Sequence, residues 1–237
     1  ITASLELTAY HLLSAPSSQR APRGSFHVRL AGASVDVGYV SEAARISLNA
    51  APKPMIAGLF AVLGAPRDSA EVFASRIVRW RTPAKLTAVG IEETNEEDLL
   101  YRSAGLPYLP RYDGFNDIDE LRLVVGLPAA LVEQAMRFLT VYSELPDVNV
   151  LIAPAEAIAA LPGMTPARLT AFLDARESVT PGSGPDLKFV LDALGDQRTG
   201  VTTGLSDAYR VRTLIVFDDG RRTTAELVLR LASADSP

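Results

Sequence analysis

The chain has 237 residues, of which 48% are hydrophobic and 22% charged, and its formal net charge is −5 at pH 7. These fractions are ordinary for a globular protein, and the length suffices to bury a core in one or two domains. The negative charge argues against a nucleic-acid partner, which requires a concentrated basic face. The absence of cysteine excludes a disulfide framework and a zinc site with thiolate ligands.

The first thirteen residues have the periodicity of a helix. One apolar face is formed at helical spacing by Leu5, Ala9, Leu12 and Leu13. The chain begins with Ile1 and not with Met, and no helix start signal precedes this face. We therefore expect these residues to be the end of a longer helix, whose upstream part has been removed. The chain itself contains no apolar run of about 18 residues, the length that predicts a membrane-spanning helix.

Strand patterns occur near both ends of the chain. Alternating apolar and polar residues predict strands at 26–30, 33–40, 45–49, 208–217 and 222–231. The first three are expected to form an antiparallel meander. The last two are joined by Asp218-Asp219-Gly220, a strong hairpin signal.

The middle of the chain is helical. Helices are predicted at 54–63, 69–80, from Asn116 or Asp117 to Val125, from Pro128 to Val141, from Pro166 to Arg176 and at 187–194. Two stretches in this region are related to each other. Each has an Ala-Pro step, a short helix, a Gly turn and a second helix that ends in Arg. The repeat predicts two helical-hairpin modules, of the SAM-like or helix-hairpin-helix-like kind.

Strands at both ends and helices between them predict an α+β fold with a large all-α insertion. We expect a first scaffold part at residues 1–48 and a closing hairpin at 201–237. The α insertion is expected at 49–200, with its two modules at about 49–147 and 148–200.

The order of these segments resembles the family of GspK, general secretion pathway protein K of type II secretion. Four parts of the chain carry the resemblance. They are Ser41 to Pro52 with Leu48-Asn49 before the first helix, Phe115 with Asp119-Glu120-Leu121 and Val125-Gly126, Val148 to Met164 with Leu161-Pro162-Gly163, and the closing hairpin. Together they extend over nearly the whole chain.

The resemblance implies a pilin-like fold, in which a long N-terminal helix lies on an antiparallel sheet. It implies a structural role without enzymatic activity, at the tip of the type II secretion pseudopilus. There the protein would assemble with minor pseudopilins of the I and J type, to initiate or cap the filament for protein export. The partners would contact the helical face of Leu5, Ala9, Leu12 and Leu13. The chain would be the periplasmic domain of a protein anchored in the inner membrane by an upstream helix.

The family resemblance also implies calcium binding. Calcium prefers six to eight oxygen ligands, several of them from carboxylates. The acidic stretch that could supply them comprises Glu92, Glu93, Glu96, Glu97 and Asp98. Its spacing matches no recognised calcium loop, and the alternative interpretation is a solvated acidic start of a helix.

Two other functions are weighed against this interpretation. Paired helical hairpins suggest a helix-hairpin-helix DNA-binding protein, but the turn Pro162-Gly163-Met164-Thr165 has no lysine beside it. The other alternative is a hydrolase on a novel scaffold. Neither His11 nor His27 has the sequence spacing of a Ser-His-Asp triad, and no nucleotide or zinc motif is present.

Overall fold

A computed structural model describes residues 1–16, 19–83, 86–87, 90–91, 96–177, 192–195 and 199–231. The helices are α1 (Thr2–Leu13), α2 (Lys53–Val62), α3 (Arg67–Arg81), α4 (Glu96–Ser103), α5 (Ala129–Ala135), α6 (Ala155–Ala159) and α7 (Pro166–Glu177). The strands are β1 (Arg23–Leu30), β2 (Ala33–Ser41), β3 (Ile46–Ser47), β4 (Leu86–Thr87), β5 (Gly90–Ile91), β6 (Leu139–Thr140), β7 (Val148–Asn149), β8 (Val201–Thr202), β9 (Ala208–Phe217) and β10 (Arg222–Arg230).

The four long strands form one antiparallel sheet in the order β1-β2-β9-β10. The hairpin of β1 and β2 and the hairpin of β9 and β10 come from opposite ends of the chain. They meet at the centre of the sheet, where Ala33 pairs with Phe217 and Ser41 with Tyr209. Three smaller sheets of two strands each pair β3 with β6, β4 with β5, and β7 with β8. The predicted mixture of helices and an antiparallel sheet is confirmed.

Helix α1 lies on one face of this sheet. Alternate residues of β2 and β9, among them Val37 and Val211, point toward the helix and are buried. Leu12 is 1% exposed and belongs to the same hydrophobic cluster. Burial of these alternating apolar side chains is what holds the helix on the sheet. The opposite face of the sheet carries mostly polar and charged residues.

The expected third strand of the meander, Arg45 to Asn49, is not part of this sheet. Instead Ile46 and Ser47 pair in parallel with Leu139 and Thr140. The chain leaves the sheet because a 3₁₀ turn, Glu42–Ala44, follows β2 directly, and the Ser41 hydroxyl caps it by accepting from the Ala43 N–H. A strand after that turn starts in a different direction.

The helix predicted from Pro128 to Val141 ends earlier, at Ala135. Its last predicted turn is extended because residues 139–140 are the strand that pairs with β3. The helix predicted before Val125 is a 3₁₀ helix, Ile118–Leu123, and Asp117 caps it through the Asp119 N–H. Helix α3 begins at Arg67, two residues before the predicted start. Of the helix predicted at 187–194, residues 192–194 are helical, and the rest lie outside the described residues.

A second hydrophobic cluster holds the helices together. Phe60 of α2 packs edge-to-face on Phe73 of α3 with ring centroids 5.6 Å apart. At the end of α3, Trp80 stacks on Phe115 at 5.9 Å. All four side chains are buried. Nowhere in the described part of the chain is there a helix with the length and apolarity that crossing a membrane requires.

Candidate functional site

The side of α1 that faces away from the sheet carries three exposed apolar side chains, with Glu6 between them. Leu7, Tyr10 and Leu13 are 38%, 73% and 54% exposed. Their spacing of three residues places them on one face of the helix. Of the three, Tyr10 is the residue type that protein interfaces favour at their centres.

The face predicted to contact partners therefore divides between two sides of the helix. Leu12 is inside the core of this chain, where no partner reaches it, and Leu5 and Ala9 are half-buried beside it. Leu13 is exposed and remains available. Most of the predicted stripe packs on the chain's own sheet, and the exposed apolar residues beside Leu13 are Leu7 and Tyr10, which the stripe did not include.

Two small polar residues make this packing possible. The Ser4 hydroxyl donates to the Ile1 carbonyl at 2.6 Å and lies 3.1 Å from the Thr213 hydroxyl on β9. The Thr8 hydroxyl donates to the Ser4 carbonyl at 2.7 Å. Buried polar groups that find partners in this way cost little. The buried side of α1 is thus partly polar, because Ser4 and Thr8 lie beside the apolar stripe of Leu5, Ala9 and Leu12.

The acidic stretch predicted to bind calcium does not converge within the described residues. Glu92 and Glu93 lie outside them. Glu96 is exposed at the start of α4, and Asp98 accepts a hydrogen bond from the Tyr112 hydroxyl at 2.5 Å. Among the residues that the structure describes, no group of three or more His, Cys, Asp or Glu side chains is arranged to hold a metal ion.

Glu97 of this stretch is directed into the protein. Its burial raises the pKa of its carboxyl group, and the nearby cations of Arg76 and Arg79 lower that pKa in part. The position of Glu97 beside two arginines of α3 is a structural contact between helices. The described carboxylates 96–98 do not form a metal-holding group by themselves, and calcium binding by the stretch 92–98 stays a prediction.

The structure places His27 in an arrangement that its sequence spacing did not indicate. His27 Nδ1 lies 2.8 Å from Asp36 Oδ1, and His27 Nε2 lies 3.5 Å from Ser34 Oγ. The order of atoms is that of a Ser-His-Asp triad. It arises because His27 and Asp36 are paired residues of β1 and β2, and Ser34 is the diagonal neighbour.

This arrangement lies on an open surface. The side chains of His27 and Asp36 are both more than half exposed. A triad acts where a pocket holds the substrate and excludes water, and the nearest concavity of the sheet face is lined by neither His27 nor Ser34. Cross-strand polar pairs of this kind stabilise a sheet. The other histidine, His11, stacks on Phe26 with ring centroids 6.0 Å apart.

The turns of the helical hairpins pack against the protein. Gly163 has φ +74°, the conformation that ends a helix with glycine. The residues on either side, Leu161 and Met164, contact the main hydrophobic cluster. A turn that presents backbone N–H groups to DNA phosphates would instead be open and flanked by lysine.

Comparison with known proteins finds a family model that matches part of the chain. Residues 35–144 match a family model that describes protein K of the type II secretion system. The matched residues begin within strand β2 and end shortly after strand β6. Among curated protein sequences, none matches this chain.

A solved structure has a similar fold. It is the crystal structure of the GspK-GspI-GspJ complex from the enterotoxigenic Escherichia coli type 2 secretion system. The matched chain is 18% identical to this one, and the TM-score is 0.66. The match covers 98% of this chain and 90% of the other. Neither comparison supports the DNA-binding alternative.

Proposed function

We infer that this chain, whose residues 35–144 belong to the type II secretion system protein K family, acts as a GspK-like minor pseudopilin. The family match and the shared fold confirm the resemblance to GspK that the sequence indicated. The observation that carries the inference is the extent of the family match, which joins strand β2 of the sheet to helices α2–α5 in one unit. Its role is structural: it builds a filament and catalyses no reaction.

The proposed location is the periplasm, with an upstream membrane helix as the anchor. The proposed partners are the pseudopilins of the I and J type that belong to the same secretion system. This is supported by the complex in which the similar chain is found, which contains GspI and GspJ. A helix laid on a sheet with one apolar side left open is also what a subunit of a helix-packed filament requires.

We propose that the outward face of α1, consisting of Leu7, Tyr10 and Leu13, contacts these partners. Tyr10 is the central anchor, because it is the most exposed large hydrophobic residue of the helix. Aromatic side chains at the centre of an interface usually carry much of its binding energy. The half-buried Leu5 and Ala9 would border the contact.

The test is the double substitution Leu7→Ser and Tyr10→Ser. We expect its affinity for the I- and J-type pseudopilins of the same organism to fall at least about tenfold, which corresponds to about 1.4 kcal/mol. Isothermal titration calorimetry measures the change. Leu214→Ser is the matched control, since Leu214 is 39% exposed on the polar face of the sheet. Equal affinity of the double variant and the control would refute the role of α1.

We further propose that the helices between the strands form two related modules. Two arginines support this. Arg81, at the end of α3, donates to the carbonyls of Leu48 and Ala51, both at 2.5 Å. Arg176, near the end of α7, donates to those of Val150 and Ala153 at 3.0 and 2.6 Å.

The strands that enclose these helices repeat in the same way. Strand β3 pairs in parallel with β6, and β7 pairs in parallel with β8. Thr140 and Thr202, the last residues of β6 and β8, each accept a hydrogen bond from the N–H two residues later. These correspondences support modules at about 49–147 and 148–200, inserted between scaffold parts 1–48 and 201–237. The bulk of the insertion would cap the filament, because it prevents another subunit from stacking above it.

Calcium binding remains a proposal for the acidic stretch 92–98. A bound ion stabilises the folded state in proportion to the logarithm of its concentration over Kd. Millimolar calcium should therefore raise the melting temperature of the wild-type chain, and less so when Glu92 and Glu93 are changed to Gln. An unchanged melting temperature in the wild-type chain would contradict the proposal.

A further inference from the structure

An arginine-rich cleft lies where the polar face of the sheet meets the helical region. It consists of two concavities of about 540 and 370 Å³, which adjoin each other because both are lined by Arg23, Val40 and Arg45. Six arginines line this cleft: Arg23, Arg45, Arg137, Arg176, Arg210 and Arg212. They come from β1, β9 and α7 and from two loops far apart in sequence.

The carboxylates of the cleft do not neutralise all of its positive charge. Glu42 and Glu226 are the carboxylates that bond to these arginines among the described residues. Six arginines against these two carboxylates, with Glu177 near Arg176, leave the cleft net positive, in a chain whose formal net charge is −5. Such a local reversal of sign concentrates an attractive field for anions.

Backbone contacts hold two of the arginines in place without neutralising them. Arg45 donates to the carbonyl of Arg137, and Arg176 donates to two carbonyls of the loop before α6. Burial lowers the pKa of both guanidinium groups, and a neighbouring cation lowers it further, Arg210 for the first and Arg23 for the second. The arginines of the cleft therefore repel one another, and an incoming carboxylate would relieve that repulsion.

Gly38 forms an open floor between the arginines. It pairs with Ser25 on one side and with Arg212 on the other, and a Cβ added to it would meet no atom within 4 Å. In the next row Val40 lies between Arg23 and Arg210. Because neighbouring strands are about 4.8 Å apart, these two arginines start roughly 10 Å from each other. An extended peptide fits a trough of this width.

We propose that this cleft binds an extended acidic segment of a partner protein, with carboxylates at alternate positions. Arg210 and Arg212 are alternate residues on the same side of β9, about 6.8 Å apart, which is also the repeat of alternate side chains in an extended peptide. Glu226 already bridges these two arginines at 2.6 and 2.5 Å, so their guanidinium groups are arranged to receive carboxylates. This surface is separate from α1, and the inference stands apart from the proposed tip role.

Other anions fit the cleft less well. Binding of single-stranded nucleic acid relies on exposed aromatic rings that stack on bases. Of the two aromatic residues that line the cleft, Tyr39 is buried, and Phe138 is half-buried and packs against the main hydrophobic cluster. The cleft is also open along its length, so a small anion would stay hydrated there. A protein segment gains binding energy because it covers the trough and places several carboxylates against the arginines at once.

The experiment uses a short fluorescent peptide in which Glu alternates with Ala. Its binding to the chain is measured by fluorescence anisotropy at low salt. The matched probe has Gln in place of every Glu, and a single-stranded oligonucleotide of the same charge is the third probe. We expect the Glu peptide alone to bind, with an affinity that falls as salt rises.

Four variants locate the binding. Arg23→Glu is expected to lower the affinity for the Glu peptide about tenfold, because it replaces attraction with repulsion. Gly38→Leu fills the trough and should weaken binding similarly, with no loss of melting temperature. Glu226→Gln removes the internal competitor and should tighten binding. Arg222→Glu is the control, with the same charge change at the far end of the same sheet face.

Three results would overturn the proposal. The first is an equal loss of affinity for the Glu peptide in Arg23→Glu and Arg222→Glu, which would indicate general charge attraction. The second is oligonucleotide binding as tight as that of the Glu peptide. The third is the absence of binding by the Glu peptide at low salt.

Discussion

Replacing Glu42 with alanine is expected to lower the free energy of unfolding by about 3–5 kcal/mol, the usual cost of removing one partner from a buried ion pair. Glu42 is 0% exposed. Its carboxylate accepts from Arg210 Nε at 2.7 Å and Nη2 at 3.2 Å, and from the hydroxyl of Thr140. It thereby joins strand β9 of the sheet to strand β6 of the helical region. Alanine would leave these donors without their acceptor in a buried site.

Urea denaturation measures this loss, and Glu226→Ala is the matched control. Glu226 bonds to the same Arg210, but its side chain is 37% exposed. Exposed ion pairs contribute about 0–1 kcal/mol, so the control should change stability little. If the two alanine variants lost the same amount, Glu42 would not be the buried link between sheet and helices that its contacts indicate.

The second large effect is expected for Gly58→Ala in helix α2. In a free helix this change would stabilise by about 1 kcal/mol, because alanine is the better helix former. Here the added Cβ would lie 3.0 Å from the carbonyl carbon of Ala160, 3.1 Å from its Cα and closer still to its oxygen. All three atoms are backbone, which cannot rotate away. Overpacking of this kind costs about 1–3 kcal/mol, so we expect a net loss.

Thermal and urea denaturation decide the sign of this change. Gly38→Ala is the control, since its Cβ meets open space in the sheet. We expect the control to keep or gain stability and Gly58→Ala to lose it. A gain in stability for Gly58→Ala would mean that α2 and the end of α6 are not in contact.

The parts of the fold with strong local signals could be predicted from the sequence. The hairpin of β9 and β10 followed from its alternating residues and its Asp-Gly turn. Helices α2 and α3 followed from their periodicity and the glycine between them. In these segments, the local preference of the chain and its tertiary packing agree.

The parts that depend on distant contacts could not be predicted. Strands β3 and β6 contribute two residues each, and their pairing across more than ninety positions has no local signal. The apolar stripe of α1 that contains Leu12 packs on the chain's own sheet, and periodicity alone does not tell such a surface from one that a partner covers. The arginines of the cleft are scattered along the chain. The sheet register brings Arg23, Arg210 and Arg212 together, and the packing of the helical region adds Arg45, Arg137 and Arg176.

The measurement that tests the proposed tip role most directly is labelling of the assembled pseudopilus. The chain has no cysteine, so Ala167→Cys, at an exposed position of α7, gives the chain a single thiol for a gold label. Electron microscopy of isolated pseudopili then locates the helical insertion. We predict gold at one end of each filament. Gold distributed along the filament length would contradict a capping subunit.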